Sequence, residues 1–237
     1  MKRILLMVIK NIVLVPWMWI KLCYHAKHTE KYTEEEQYKM LRFITLHANK
    51  GGNVKIDVHG AENLPKDNGF MFFPNHQGLY DVLAIIEACP RPFSVVAKKE
   101  IANIQFLKQV FACMKAYMLD REDVRQAMQV IVHVTEEVKR GRNYLIFAEG
   151  TRSKNGNKVG EFKGGSFKSA TKAKCPIVPV ALIDSFKPFD TNTINPVTVQ
   201  VHFLEPIYYE EYQTMKTTEI AAEVKCRIQK VINENIK

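Results

Sequence analysis

The stretch Phe70-Met71-Phe72-Phe73-Pro74-Asn75-His76-Gln77-Gly78-Leu79-Tyr80-Asp81-Val82-Leu83-Ala84-Ile85-Ile86 reads as strand, turn and helix in immediate succession. Phe70 to Phe73 is a short apolar run bounded by Pro74, which fits a buried strand. Pro74 and Gly78 shape a polar turn. Val82 to Ile86 is apolar enough to face a core, on a helix whose first turn holds Asp81.

The same alternation continues outward. Upstream, Val54 to Val58 alternates apolar and polar residues as a strand does. Downstream, Phe93 to Ala97, Tyr117 to Leu119, Tyr144 to Ala148, Ile177 to Ile183 and Val197 to Leu204 are strand-like. Between and after them, Ile101 to Cys113, Glu122 to Arg140, Ser166 to Lys174 and Thr217 to Asn235 are helix-like. The clearest is Glu122 to Arg140, with Val124, Met128, Ile131, Val134 and Val138 at three-and-four spacing and Gly141 as its stop. Strands alternating with helices predict an α/β fold: a single domain with a central, mostly parallel mixed sheet flanked by helices. The chain has 237 residues and 46% hydrophobic content, which suits one such domain with a short appendage.

That appendage is read at the N-terminus. Ile4 to Ile9 and Ile12 to Ile20 are apolar runs separated by Lys10 and Asn11, with Pro16 between Val15 and Trp17. A cleaved signal peptide is disfavoured, because Cys23-Tyr24-His25 is a poor cleavage site. The run falls short of the about 20 apolar residues of a membrane span. A helix lying in the interface tolerates the lysine, which can snorkel, and suits Trp17 and Trp19. Interfacial anchoring is favoured; a true span and a buried core helix stay open. Glu30 to His47 follows as a polar-sided helix with Thr33 placed to cap it against Glu36, and Gly51-Gly52 breaks the chain. Residues 1–50 are therefore expected to be an anchoring helical region and residues 51–237 the main domain.

Lys and Arg outnumber Asp and Glu by 34 to 25, a net +9, which favours anionic partners. Nucleic acid is not expected, since the basic residues are scattered and not interleaved with aromatics. The five cysteines are scattered without a CxxC pair and read as buried free thiols, not disulfide or zinc ligands. No metal site is expected. There is no GxSxG or GxGxxG, and Gly160 to Gly165 lacks the Lys-Ser/Thr of a phosphate-binding loop.

Polar groups in α/β folds gather where strands end. His76 and Asp81 stand at such a place. Residues five apart on a regular helix point about 140° apart, so the two can meet only if His76 precedes the helix. A carboxylate on one imidazole nitrogen fixes the tautomer and frees the other nitrogen as a base. Taken alone, the pair is better read as an ordinary turn histidine and a capping aspartate. Phe147-Ala148-Glu149-Gly150-Thr151-Arg152-Ser153 follows another strand, and Arg152 offers a planar fork suited to phosphate. Glu149 is read as orienting a neighbouring group or an incoming hydroxyl. Lys98-Lys99-Glu100 and Asp120-Arg121 are charge clusters at two further strand ends.

These segments, in this order, resemble the glycerolipid acyltransferase family of 1-acyl-glycerol-3-phosphate acyltransferases. Asn75-His76 with Asp81 is similar to its His-x4-Asp motif. Lys98-Lys99-Glu100 and Leu119-Asp120-Arg121 are similar to the region of its second motif, and Phe147 to Arg152 to its Glu-Gly-Thr-Arg motif. Phe162-Lys163-Gly164-Gly165 and Pro176 to Val180 match its later segments, and the likeness runs from about Val54 to Pro206. Tyr117-Met118-Leu119 departs from the family's usual apolar residues.

The resemblance implies transfer of a fatty acyl chain from a thioester of acyl carrier protein or coenzyme A to the free hydroxyl of lysophosphatidic acid, giving phosphatidic acid. It implies His76 as general base oriented by Asp81, with Arg152, Glu149, Gly150, Thr151, Lys98, Lys99 and Arg121 at the acceptor. No cofactor is implied beyond the thioester co-substrate. The expected partner is a phospholipid surface, with the site on the cytoplasmic side of a monotopic or singly anchored protein. Other lysophospholipids, glycerol 3-phosphate, or lipid binding without catalysis are the alternatives.

Overall fold

The computed structural model describes residues 2–120 and 123–236, excluding the side chains at 102, 103 and 105. Three helices come first: α1 (Lys2–Lys10), α2 (Val15–Lys27) and α3 (Glu34–Gly51). Then follow β1 (Val54–His59), β2 (Met71–Pro74), α4 (Asp81–Ala88), β3 (Ser94–Lys98), α5 (Gln105–Cys113), β4 (Tyr117–Leu119), α6 (Val124–Lys139) and β5 (Tyr144–Ile146). The chain ends with α7 (Lys168–Ala173), β6 (Ile177–Ile183), α8 (Lys187–Asp190), β7 (Val197–Phe203), α9 (Tyr209–Tyr212) and α10 (Thr217–Asn235).

The strands form one sheet in the order β1-β7-β6-β2-β5-β3-β4. All neighbours are parallel except β6 and β7, so β1 and β7 run opposite to the other five. The α/β fold with a mostly parallel mixed sheet is as the alternation predicts.

Strand periodicity divides the core. On β2 and β6, Phe72, Val178, Val180 and Leu182 face one side, packed with α3, α4 and α5 residues such as Leu41, Ile85 and Val110. Met71, Phe73, Ile177, Ala181 and Ile183 face the other, against Val134 on α6, Ala170 on α7 and Val224 and Ile228 on α10. β6 is buried at every position, the signature of a strand covered on both faces.

Several sequence readings shift. α6 carries two four-spaced stripes, and only Val130, Val134 and Val138 face the sheet. Val124 and Met128 are 71% and 60% exposed. The expected start of this helix at Glu122 lies outside the described residues. The helix expected from Ile101 begins at Gln105, because Lys99 to Asn103 form a 3-10 turn. β5 stops at Ile146, not Ala148: Phe147 and Ala148 leave the ladder to form the site. α3 continues through Gly51, and its Thr33–Glu36 capping box is present.

The N-terminal helices are docked on the domain. Met7, Met18 and Leu22 are buried, and the Arg3 guanidinium donates to the carbonyls of Gly52 at 2.6 Å and Asn195 at 2.8 Å. Lys10, which interrupts the apolar run, donates from its Nζ to Asn53 Oδ1 at 3.0 Å. The outer side stays apolar: Leu5, Ile9, Ile12, Val13 and Ile20 are exposed, as are Trp17 and Trp19. Among the described residues no single helix is long and apolar enough to cross a membrane; α1 and α2 pass that test only together, bent by 100°.

Candidate active site

β2, β5, β3 and β4 are parallel neighbours, so their C-terminal ends share one edge of the sheet. His76, Glu149, Lys98 and Asp120 therefore emerge on the same edge. Each was assigned from a different segment of sequence, and parallel pairing brings the segments together.

Asn75 ends β2 by imitating backbone. Its side-chain oxygen accepts from the Leu182 N–H at 2.7 Å, and its Nδ2 donates to the Leu182 carbonyl at 3.0 Å. The ladder with β6 is thereby satisfied while the main chain turns away. His76 follows on this turn and Asp81 is the first residue of α4, the order that lets residues five apart meet.

His76 Nδ1 lies 2.7 Å from Asp81 Oδ2. Asp81 is fully buried, while the His76 side chain is 19% exposed. The aspartate oxygens also accept the Gln77 N–H at 2.7 Å and the Gly78 N–H at 3.0–3.1 Å. The Ser185 hydroxyl is hydrogen-bonded to Asp81 Oδ1. Every partner of this carboxylate is a donor, so Nδ1 is the ring nitrogen that presents its N–H to it. His76 Nε2 has no hydrogen-bond partner among the described residues. The ring lies on Phe147, with centroids 3.9 Å apart and planes 23° apart.

Glu149 acts on the backbone of this turn. Its Oε1 accepts the His76 N–H at 2.7 Å and its Oε2 the Gly160 N–H at 2.8 Å. Burial holds its carboxyl above the ordinary value, opposed by those two amides. A Cβ at Gly160 would stand 2.3 Å from Glu149 Oε2, so only glycine admits this approach. Ser153 N–H donates to the His76 carbonyl at 2.7 Å. The Glu149 segment thus grips the His76 peptide from both sides, and the glutamate serves the turn and not an open subsite.

The basic residues are less gathered than expected. Arg152 is exposed and has no ion-pair partner among the described residues, and Thr151 is exposed beside it. Gly150 has φ +73°, which glycine adopts freely, and so turns the chain toward Arg152. Lys98 pairs with Glu100 at 2.7 Å and Lys99 with Asp120 at 3.3 Å. Arg121 lies outside the described residues. The backbone N–H groups of Gln77 and Gly78 are spent on Asp81 and so are not available to hold a developing oxyanion.

Sequence reasoning missed the residues arriving from β6. Gln77 Oε1 accepts from the Ser185 N–H at 2.8 Å, and its Nε2 donates to Asn157 Oδ1 at 2.7 Å and to the Leu182 carbonyl at 3.0 Å. No local signal marks Ser185, Asn157 or Gly160, since each works only through a contact distant in sequence. No group of three or more His, Cys, Asp or Glu among the described residues is arranged to hold a metal.

Comparison with known proteins follows the same lines. A family profile described as acyltransferase matches residues 55–183. The 1-acyl-sn-glycerol-3-phosphate acyltransferase of Borreliella burgdorferi is 31% identical over 172 residues, 70% of this chain and 68% of that protein. The Salmonella typhimurium protein of the same description is 30% identical over 182 residues, 76% of this chain and 74% of that one. The mouse 1-acyl-sn-glycerol-3-phosphate acyltransferase alpha is 29% identical over 181 residues, and this chain spans 62% of its length. The crystal structure of the 1-acyl-sn-glycerophosphate acyltransferase PlsC of Thermotoga maritima shares the fold, with TM-score 0.78 at 22% identity over 98% of this chain and 95% of that one.

Proposed function

The chain belongs to the acyltransferase family, and from that premise we propose that it transfers a fatty acyl group from a thioester to the free hydroxyl of lysophosphatidic acid, with His76 as general base. The observation that carries the chemistry is the 2.7 Å contact of His76 Nδ1 with buried Asp81, which leaves Nε2 at the open side of the ring. The relatives' descriptions support the acceptor.

An alcohol is a weak nucleophile until its proton leaves as it attacks. Nε2 takes that proton while the alcohol oxygen bonds to the thioester carbonyl carbon. The resulting imidazolium is stabilised by Asp81. Collapse of the tetrahedral intermediate breaks the C–S bond, and the leaving thiolate takes the proton back from Nε2. The balanced exchange of thioester for ester requires no electron carrier. Phe147 and Asp81 hold the ring in plane, and Glu149 holds the peptide that carries it.

The acceptor phosphate falls to Arg152. It is exposed, lies three residues beyond Glu149, and is not neutralised by a neighbouring acid among the described residues. Lys98 and Lys99 already have acidic partners and contribute less. The deciding experiment offers purified protein both acyl carrier protein and coenzyme A thioesters against lysophosphatidic acid, other lysophospholipids and glycerol 3-phosphate. Transfer to lysophosphatidic acid is expected to have the highest initial rate; a higher rate on another acceptor moves the assignment within the family, and no transfer to any acceptor removes it. In the same assay Arg152→Ala should raise the acceptor KM about ten- to a hundredfold, the loss of one charge-assisted contact of about 1.5–3 kcal/mol. The donor KM should hardly change. An unaltered acceptor KM takes Arg152 out of the pocket.

The exposed apolar side of α1 and α2, with Trp17 and Trp19, supports attachment to the surface of a bilayer in which such a substrate resides. Deleting residues 1–27 is a poor test, because Leu22 and Arg3 are part of the folded core. The exposed apolar side of this region is better. Val13 is 86% and Ile20 67% exposed, so Val13→Glu with Ile20→Glu leaves the core alone. Each forfeits about 1.5–3 kcal/mol of apolar transfer. Sedimentation with anionic liposomes should weaken at least about tenfold; undiminished binding would place the membrane contact elsewhere.

A further inference from the structure

The strongest unassigned feature lies beneath Asp81. Ser185 is fully buried and stands two residues beyond the last strand position of β6, just outside the segment matched to the family. Its hydroxyl reaches Asp81 Oδ1, the oxygen that His76 does not use. It also lies 3.0 Å from Gln77 Oε1, which accepts the Ser185 N–H as well.

The turn that delivers this serine is held from three directions. Asp184 has φ +62°, a left-handed conformation uncommon outside glycine. Its N–H donates to Asn157 Oδ1 at 2.8 Å, its Oδ1 accepts from Asn157 Nδ2 at 3.0 Å, and its Oδ2 is paired with Lys187 at 2.7 Å. Asn157 is in turn bonded to Gln77. Contacts that hold a residue in a sparsely populated backbone region also fix the position of its neighbour. That neighbour is Ser185.

We propose that Ser185 is a positioning residue for acyl transfer: its hydroxyl, set by the Asp184–Asn157–Gln77 network, holds Asp81 Oδ1 and thereby fixes both the aim and the basicity of His76. The inference rests on the reading of His76 as base. A donor on the far oxygen withdraws charge from the carboxylate, so the carboxylate stabilises the imidazolium less. With Ser185 present, His76 gives up its proton more readily. Without it, Asp81 keeps more of its charge for His76, and the imidazolium persists to higher pH.

The groups facing His76 set what else could move that titration. Glu149, after β5, is bonded to the His76 peptide and interacts with its ring charge. Asp190, on α8, borders Gly78, since a Cβ there would lie 3.5 Å from its Oδ2. Asp184 and Lys187 neutralise one another at the turn. None of these is altered by substitution at 185.

The test is Ser185→Ala, followed by two readouts: the pH profile of kcat, and the titration of the His76 imidazole by NMR of histidine-labelled protein. The expected result is an upward displacement of the acid limb and of the His76 titration by up to about one unit. Below both midpoints that is up to about a tenfold loss of kcat, recovered as pH rises, with KM changed little. A purely structural role would lower thermal stability without moving either titration. If Ser185→Ala does not fold, Ser185→Cys keeps the volume close while replacing a strong donor by a weak one, and the same upward displacement is expected. An unmoved or lowered His76 titration in a folded variant overturns the proposal. Because the NMR titration needs no turnover, it reads Ser185 separately from the base assignment: full activity in His76→Ala would sink the base, whereas an unmoved titration sinks only Ser185.

Discussion

Replacing His76 with alanine should leave a folded protein that no longer transfers acyl groups. The expected loss in kcat is about 10²–10⁴-fold, the usual contribution of a positioned general base. The structure explains why the fold should survive. What His76 gives the architecture comes from its peptide: its N–H binds Glu149 and its carbonyl receives the Ser153 N–H, and alanine retains both. The imidazole contributes one ring contact with Phe147 and one bond to Asp81. The Asp81 carboxylate would still accept from Gln77, Gly78 and Ser185, so no buried charge is left bare. Initial rates alongside thermal melts check this. Retention of full activity in the folded variant removes the base mechanism, and loss of folding shows that the imidazole bears more of the structure than these contacts indicate.

The fold was legible in the sequence because its signals are local. The β2 strand, its proline stop, the polar turn and the apolar start of α4 lie within seventeen consecutive positions, Phe70 to Ile86, and each obeys its own periodicity. The requirement that His76 precede the helix came from the angular repeat alone, and α4 does begin at Asp81. What could not be read is whatever depends on contacts distant along the chain. Glu149 is read as orienting a neighbouring group or an incoming hydroxyl, and only contacts across the chain say which group it holds: its partners are the amides of His76 and Gly160, on either side of it in sequence. Gly160 looked like part of a failed phosphate loop, and its meaning is the absence of a Cβ beside Glu149. Ser185 carries no motif at all. The α6 stripe failed for a different reason: Val124, Met128 and Val132 share the four-residue spacing of Val130, Val134 and Val138, and periodicity cannot say which of two such stripes meets the sheet.

Substituting Asp81 with asparagine is the sharper probe, because it changes almost no volume and yet should cost a large part of the activity. Asp81 takes only donors: His76 Nδ1, the N–H groups of Gln77 and Gly78, and the Ser185 hydroxyl. An asparagine offers one acceptor oxygen and one amide nitrogen. The Gln77 and Gly78 amides, which cannot reverse polarity, and His76 Nδ1 all meet Oδ2, so the asparagine oxygen takes that place and the amide nitrogen takes the place of Oδ1. Ser185 can rotate its hydroxyl to accept one amide hydrogen, and the other is left without an acceptor. His76 keeps its tautomer but loses the negative charge that stabilises the imidazolium formed as the hydroxyl is deprotonated. Losing an adjacent opposite charge is worth about one to three pKa units, or about 10–10³-fold in kcat, with little change in KM. A buried donor left without its acceptor costs about 1–3 kcal/mol, and for a chain of this size that lowers Tm by about 2–4 °C per kcal/mol. Large kinetic and modest thermal effects should therefore appear together. If Asp81→Asn melts early but keeps kcat within a few-fold of the parent, the aspartate holds the turn before α4 and nothing more. If kcat collapses while the melt shifts only by these few degrees, the carboxylate's work is to stabilise the imidazolium that forms as the hydroxyl is deprotonated.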